Sequence, residues 1–290
     1  MREPIVFVNG LFWPQSRAQV SVLDRGFTYG DGLFETLRAY GGIVFRLEDH
    51  LDRCSRSARL IFLELPMTRQ ELRTVVRETL KRNLLSDAII RLTVTRGEQE
   101  PGLAIDPEAP PTVVVHARPF EGIPEYSYEK GVRVSLFHNS APKVGGISSQ
   151  IKSCNFLSQI VLQERARKEG VFEGIMIDSN KRIADGTTSN IFIVKNGILK
   201  TPALTEFVLP GVTRQVVLEL AASLNISHEE QDLIVDDVYR ADEVFLTNTR
   251  IEILPVQQAD RQVIGTGTPG PVTRQLRALF LKTFGVSSQK

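Results

Sequence analysis

Short apolar runs with strand character alternate with stretches of helical period along the whole chain. Ile5–Val8 and Leu11–Trp13 flank Asn9-Gly10, a dipeptide suited to the left-handed backbone of a two-residue hairpin turn. Leu33–Tyr40 and Ile43–Leu47 predict two more strands around Gly41-Gly42. From near Glu48 the period changes, and Leu47, Leu51, Cys54, Ala58 and Ile61 fall on one stripe of a helix. Thr68-Arg69-Gln70-Glu71 has the pattern of a capping box, opening a second helix with Leu72, Val75, Val76, Thr79 and Leu80 turned inward. The β-rich runs Ala88–Thr95 and Thr112–Ala117 are expected to complete one sheet.

Between Pro119 and Gly131 two prolines, two glycines and no periodicity predict an interdomain linker. The expected division is therefore a domain over 1–118, a linker over 119–131 and a second domain over 132–290. The second half offers strands at Val132–Phe137, Phe172–Asp178, Asn190–Lys195 and Ile198–Lys200, the last two joined by an Asn196-Gly197 hairpin. A glycine- and serine-rich loop over 145–149 precedes a helix at Asn155–Lys168, which Gly170 stops. Gly211 precedes a helix with Val212, Val216, Val217, Leu220 and Leu224 on one side. Glu243–Thr247 reads as the final short strand and Val272–Phe284 as the final helix. The fold class expected is α/β (α+β), two domains with a cleft between them.

Composition narrows the function classes. With 290 residues, 35 Lys plus Arg against 34 Asp plus Glu and a net charge of +1, the chain has no bulk field for nucleic acid or an anionic membrane. Cys54 and Cys154 lie a hundred residues apart, and His50, His116, His138 and His228 are scattered, so neither a disulfide framework nor a histidine-built metal centre is expected. There is no apolar run of ~20 residues and no signal-peptide core after Met1. The expectation is a soluble cytoplasmic enzyme without metal.

Four segments suit phosphate and amine chemistry. In Leu209-Pro210-Gly211-Val212-Thr213-Arg214 a turn feeds a helix whose free N–H groups and dipole favour an anion. Leu246-Thr247-Asn248-Thr249 puts hydroxyl and amide groups after a buried strand, where such residues also satisfy their own backbone. Arg53 sits off the centre of its helix stripe, a place for a solvated or ion-paired guanidinium as much as for a ligand. Lys152, between a loop and an apolar helix, is either an ordinary surface lysine or a desolvated one, and desolvation lowers an amine's pKa and frees it as a nucleophile toward an aldehyde.

The order of these blocks resembles the class IV (fold type IV) pyridoxal-phosphate aminotransferases, which include branched-chain aminotransferases, D-amino-acid aminotransferases and aminodeoxychorismate lyases. The resemblance runs through Tyr29-Gly30-Asp31-Gly32-Leu33-Phe34-Glu35-Thr36-Leu37-Arg38, Phe45-Arg46-Leu47, His50-Leu51-Asp52-Arg53 and Ile151-Lys152-Ser153-Cys154-Asn155. It continues through Ala184-Asp185-Gly186-Thr187-Thr188-Ser189-Asn190-Ile191-Phe192, the Leu209–Arg214 block and Ala241-Asp242-Glu243-Val244-Phe245. It implies a smaller N-terminal domain, a larger C-terminal one, and pyridoxal 5′-phosphate in the cleft between them. By the same resemblance Lys152 holds the cofactor as a Schiff base and moves a proton between substrate and cofactor. Arg53, Val212, Thr213 and Thr249 would hold the phosphate, with Thr188 and Asn248 as further cofactor contacts. Asp185 would face the pyridine nitrogen where family members generally carry Glu. Being one methylene shorter, it needs a shift of about 1.5 Å or a bridging water for direct contact.

The resemblance also bears on substrate. Tyr29 and Phe34, with Arg38 nearby, would surround an apolar side chain. Phe156 stands where many branched-chain members have a tyrosine that bonds the cofactor. Arg250 either binds the substrate carboxylate or faces solvent. The arginine and histidine that D-amino-acid enzymes place after a Thr-Arg-Gly triplet are missing after Thr95-Arg96-Gly97. The leading expectation is a branched-chain L-amino acid: 2-oxoglutarate aminotransferase. The alternatives are a D-amino-acid or (R)-amine transaminase and an aminodeoxychorismate lyase. Family members work as homodimers, so Tyr29 and Arg38 would serve either their own site or the partner's.

Overall fold

The computed structural model describes residues 3–138, 140, 150–205 and 207–284; the glycine- and serine-rich run at 145–149 lies outside them. These residues form two compact units. One comprises the described residues up to Glu121 together with Ile151–Asn155; the other comprises the described residues from Gly122 onward, apart from that segment.

The first unit contains β1 (Ile5–Val8), β2 (Leu11–Pro14), α1 (Arg25–Tyr29), β3 (Gly32–Tyr40), β4 (Ile43–Val44), α2 (Leu47–Leu60), α3 (Arg69–Arg82), β5 (Ala88–Thr95) and β6 (Thr112–Pro119). Its strands make one sheet in the order β2-β1-β6-β5-β3-β4. Asn9 and Gly10 have φ of 45° and 92°, as the tight turn between β1 and β2 requires. β4 is shorter than the expected Ile43–Leu47, because Arg46 turns left-handed (φ 49°, ψ 36°) and Leu47 already opens α2. The capping box at Thr68 forms with both of its hydrogen bonds, and α3 buries Leu72, Val75, Val76, Thr79 and Leu80 as its periodicity predicts. α1 is too short to leave a periodic trace; Asp24 caps its start and left-handed Gly30 ends it.

Alternation along the strands gives this sheet two different faces. Leu33 and Leu37 of β3 and Ile90, Leu92 and Val94 of β5 join Leu47, Leu51, Cys54 and Ala58 of α2 in one core, each fully buried Leu or Ile contributing about 1.5–3 kcal/mol. The intervening residues Phe34, Thr36 and Arg38, with Arg91 and Thr93, lie on the opposite face. The segment around Lys152 runs antiparallel along the free edge at the start of β3. Phe34 N–H donates to the Lys152 carbonyl (3.0 Å), and Cys154 N–H donates to the Gly32 carbonyl (2.8 Å).

The second unit contains α4 (Glu125–Lys130), β7 (Val132–Phe137), α5 (Leu157–Lys168), β8 (Glu173–Ile177), β9 (Ile183–Gly186), β10 (Asn190–Lys195), β11 (Ile198–Pro202), α6 (Val212–Ser223), β12 (His228–Gln231), α7 (Val235–Tyr239), β13 (Glu243–Asn248), β14 (Glu252–Ala259), β15 (Gln262–Val263) and α8 (Pro271–Lys282). Among the described residues its sheet runs β12-β11-β10-β13-β14-β7-β8-β9, with β15 beside β14. Two expectations about individual elements change. β13 is not the final strand: β14 follows it, hidden in the sequence because Pro255 and the polar pair Gln257-Gln258 interrupt any alternation. The stretch expected as irregular linker holds α4, whose buried Tyr128 is the single aromatic anchor of a helix too short for a period to show. Among the described residues no helix is long and apolar enough to cross a membrane.

Candidate active site

Lys152 is half-buried, its backbone pinned to the edge of β3 as above. Its Nζ lies 4.7 Å from the centroid of the buried Phe34 ring. The Arg91 guanidinium stands 3.7 Å from the same centroid, and its Nε donates to Thr93 Oγ1 at 3.3 Å. Burial pulls the Arg91 pKa down, and among the described residues no carboxylate forms an ion pair with it. Sequence reasoning missed Arg91, although its signal is present: a lone cation alternating with Ile90, Leu92 and Val94 marks the polar side of a strand.

The other face of β3 carries a buried charge cluster. Glu35 takes a core position between Leu33 and Leu37, opposite His50 and Arg53 of α2. Arg53 Nε and a terminal nitrogen donate to the two Glu35 oxygens at 2.8 and 2.6 Å, and His50 Nδ1 meets Glu35 Oε2 at 2.7 Å. Burial alone would raise the Glu35 pKa, but the Arg53 charge and the hydrogen bonds from Arg53 and His50 outweigh it and hold Glu35 at about 2. Burial pushes His50 down against the pull of Glu35, with the Arg53 and Lys152 charges adding to the push. At neutral pH His50 is thus neutral beside a carboxylate that only accepts, so Nδ1 carries the proton and donates. Of the two ordinary settings for Arg53, the ion-paired one is realised, in the core.

In the second unit Asp185 lies on β9, and both of its oxygens are engaged. Oδ1 accepts from Asn190 Nδ2 (2.9 Å) and Oδ2 from Leu209 N–H (2.7 Å). Burial pushes its pKa up to about 7, against those two bonds and the Arg214 charge, with Glu173 adding to the rise. Glu173 is buried and organises the loop after Asp185, accepting from the Thr187, Thr188 and Ser189 hydroxyls and from Thr188 N–H. Burial raises its pKa, partly offset by those bonds. Neither Glu173 nor Asn190 was singled out as a site residue from sequence; their polar side chains at buried strand positions are the only local hint.

α6 begins at Val212 after Gly211, which has no side chain to cap it. The first N–H groups of the helix, those of Val212 and Thr213 among them, have no acceptor within the helix. With the buried Thr213 hydroxyl they make an anion cradle of ordinary kind. This fits the phosphate of the cofactor implied by the sequence, and the Lys152 amine fits its aldehyde.

The remaining residues divide. Thr249 is half-buried in the turn after β13. Asn248 spends its amide locally: Oδ1 accepts from Arg250 and Ile251 N–H, and Nδ2 reaches the exposed Thr188 at its carbonyl (3.2 Å). Its primary work is the turn. Arg250 is exposed. Tyr29, on α1, accepts from Gly102 N–H and lies near the Arg25 guanidinium. Arg38 is buried with its guanidinium 4.5 Å from both the Tyr40 and Phe120 rings, four residues along β3 from Phe34.

Comparisons with known proteins identify the family and the fold. The sequence model of the family described as Amino-transferase class IV matches residues 32–259. A Methanocaldococcus jannaschii protein, provisionally named a branched-chain-amino-acid aminotransferase, is 40% identical over 275 residues, covering 95% of this chain and 94% of that one. A D-alanine aminotransferase of Bacillus licheniformis is 32% identical over 272 residues, covering 94% of each chain. The structure of a branched-chain amino acid aminotransferase from T.th., complexed with N-(5′-phosphopyridoxyl)-L-glutamate, superposes with a TM-score of 0.91 at 29% identity, covering 98% of this chain and 95% of that one.

Proposed function

The chain belongs to the class IV aminotransferases and shares the fold of its branched-chain members; from that premise we propose that it moves the amino group of a branched-chain L-amino acid to 2-oxoglutarate, with pyridoxal 5′-phosphate as cofactor. The observation that carries the reading is the half-buried Lys152 amine, held by strand pairing and set 4.7 Å from the Phe34 ring centroid. When bound, the cofactor supplies an aldehyde carbon that takes up the amino group and a ring that accepts the electron pair released at the substrate α-carbon. Lys152 Nζ would anchor the cofactor and, once free, would carry the proton from the substrate α-carbon. Val212 and Thr213 N–H, the Thr213 hydroxyl, Thr249 and Arg53 bind the phosphate. Asp185 holds a proton at the ring nitrogen, with Thr188 and Asn248 shaping the loops beside it.

Phe34 and Tyr29 supply apolar surface for a branched side chain. Arg91 suits the distal carboxylate of a dicarboxylic acceptor, because a half-buried guanidinium without a carboxylate partner among the described residues gains most from one. Arg250 is assigned to the substrate α-carboxylate. The same reading has the enzyme act as a cytoplasmic homodimer, which sedimentation tests.

The test is half-transamination. Protein treated with borohydride in the presence of the cofactor is tagged at Lys152, and L-leucine, L-isoleucine and L-valine each convert the cofactor's absorption band. The 32% identity to a D-alanine aminotransferase makes D-alanine the necessary comparison. Faster conversion by D-alanine than by L-leucine overturns the stereochemical part. Release of pyruvate without an acceptor overturns transamination in favour of elimination.

A further inference from the structure

Asn190 opens β10, is 4% exposed, and is paired with Thr247 of β13, so its backbone is set by the sheet. Its Nδ2 has two hydrogens and uses both. One goes to Asp185 Oδ1 (2.9 Å) and the other to the Leu209 carbonyl (2.8 Å). Leu209 N–H closes the ring by donating to Asp185 Oδ2 at 2.7 Å. The other end of the same amide is equally constrained. Its Oδ1 occupies the space in which a Cβ on Gly211 would stand. Gly211 has φ −67° and ψ 135°, a backbone any L-residue adopts. The space that bars a side chain at 211 is therefore filled by Asn190. The residue after Gly211 is Val212, the first of α6.

We propose that Asn190 is a positioning residue that locks Asp185 to the 209–211 turn, so that the acid and the N-terminus of α6 move as one rigid element. The inference rests on the reading above, in which Asp185 serves the ring nitrogen and the start of α6 serves the phosphate. One amide then sets both ends of the cofactor seat in the second unit. A disturbance at residue 211, on the phosphate side, reaches Asp185 by displacing Asn190 Oδ1 and breaking its Nδ2 bonds. Coupling of this kind appears as non-additivity between the two positions.

The experiment compares wild type with Asn190→Ala, Asn190→Ser, Gly211→Ala and the Asn190→Ala/Gly211→Ala double variant. Each is first checked for folding by the thermal transition of the cofactor-free protein; Asn190→Ser serves if Asn190→Ala does not fold. Binding of pyridoxal phosphate and of pyridoxal is measured, together with the pH midpoint of the bound cofactor's absorption. Asn190→Ala is expected to weaken pyridoxal phosphate binding at least tenfold, since it strips a buried carboxylate and a carbonyl of a donor. It also moves the pH midpoint. Gly211→Ala produces the same midpoint shift although it adds only a methyl group on the phosphate side, and the double variant is no worse than Asn190→Ala alone. Effects that multiply in the double variant, or a Gly211→Ala that weakens binding with the midpoint unmoved, overturn the lock.

Failure of the underlying reading looks different: wild type itself then binds no cofactor at Lys152. The lock remains testable in that event, through the pH dependence of the cofactor-free protein's stability near Asp185's titration. Gly211→Ala shifts that dependence if the lock exists and leaves it in place if it does not.

Discussion

Glu35→Gln removes one charge from the core of the first unit and almost nothing else. The side chains are nearly isosteric, so no cavity term enters; what changes is the partner of a buried guanidinium. Glu35 is held at about 2 against an ordinary 4.5, and at about 1.4 kcal/mol per unit that difference corresponds to about 3 kcal/mol of stability. The independent expectation for removing one member of a buried pair, about 3–5 kcal/mol, agrees. Because the folded-state value is depressed, the contribution is complete above pH 4.5 and is lost as pH falls toward 2. Between pH 5 and pH 3 the same linkage removes about 2 kcal/mol of it. Urea unfolding of wild type and Glu35→Gln, cofactor-free, at pH 7, 5 and 3 measures the gap directly. It should be about 3 kcal/mol at pH 7 and narrow steadily below pH 5. A gap under about 1 kcal/mol at pH 7, or one that stays constant down to pH 3, would refute the assignment of Glu35 as the charged anchor of Arg53.

Other consequences are as direct. Asp185 shows the opposite sign: its folded-state value is raised from 3.8 to about 7, so the cofactor-free protein loses about 4 kcal/mol as pH rises from about 4 through 7. In Asp185→Asn that slope should disappear from urea unfolding curves. Arg91→Gln is expected to raise KM for 2-oxoglutarate roughly 30- to 100-fold, the worth of a charge-assisted hydrogen bond, while leaving KM for a 2-oxo acid without a second carboxylate within about threefold. Steady-state kinetics with the two acceptors decide it, and equal losses on both would remove Arg91 from acceptor recognition. Burial pushes the Cys54 thiol up to about 12. Iodoacetamide at pH 8 should therefore leave Cys54 unmodified in the folded protein and alkylate it once urea is added, as peptide mass spectrometry will show.

What the sequence determined by itself was local or ordered along the chain. Asn9-Gly10 and Asn196-Gly197 each carry their turn in two residues with positive φ, and Thr68 with Glu71 carries a helix start in four. The apolar inward residues of α2 (Leu47, Leu51, Cys54 and Ala58) and the inward row of α3 follow from period alone, and the succession of motif blocks was sufficient for the family. β14 escaped because strand character there comes from neighbours on both edges rather than from alternation. The contacts of the candidate site were decided by tertiary structure. Glu35 meets Arg53 across 18 residues, Lys152 pairs with a strand more than a hundred residues earlier, and Asn190 fills the space that makes residue 211 a glycine. Each depends on a carboxylate, amine or amide being taken out of water opposite a partner distant in the chain. Periodicity and turn propensity act over a few residues, whereas desolvation and its compensation exist only once the chain has closed on itself.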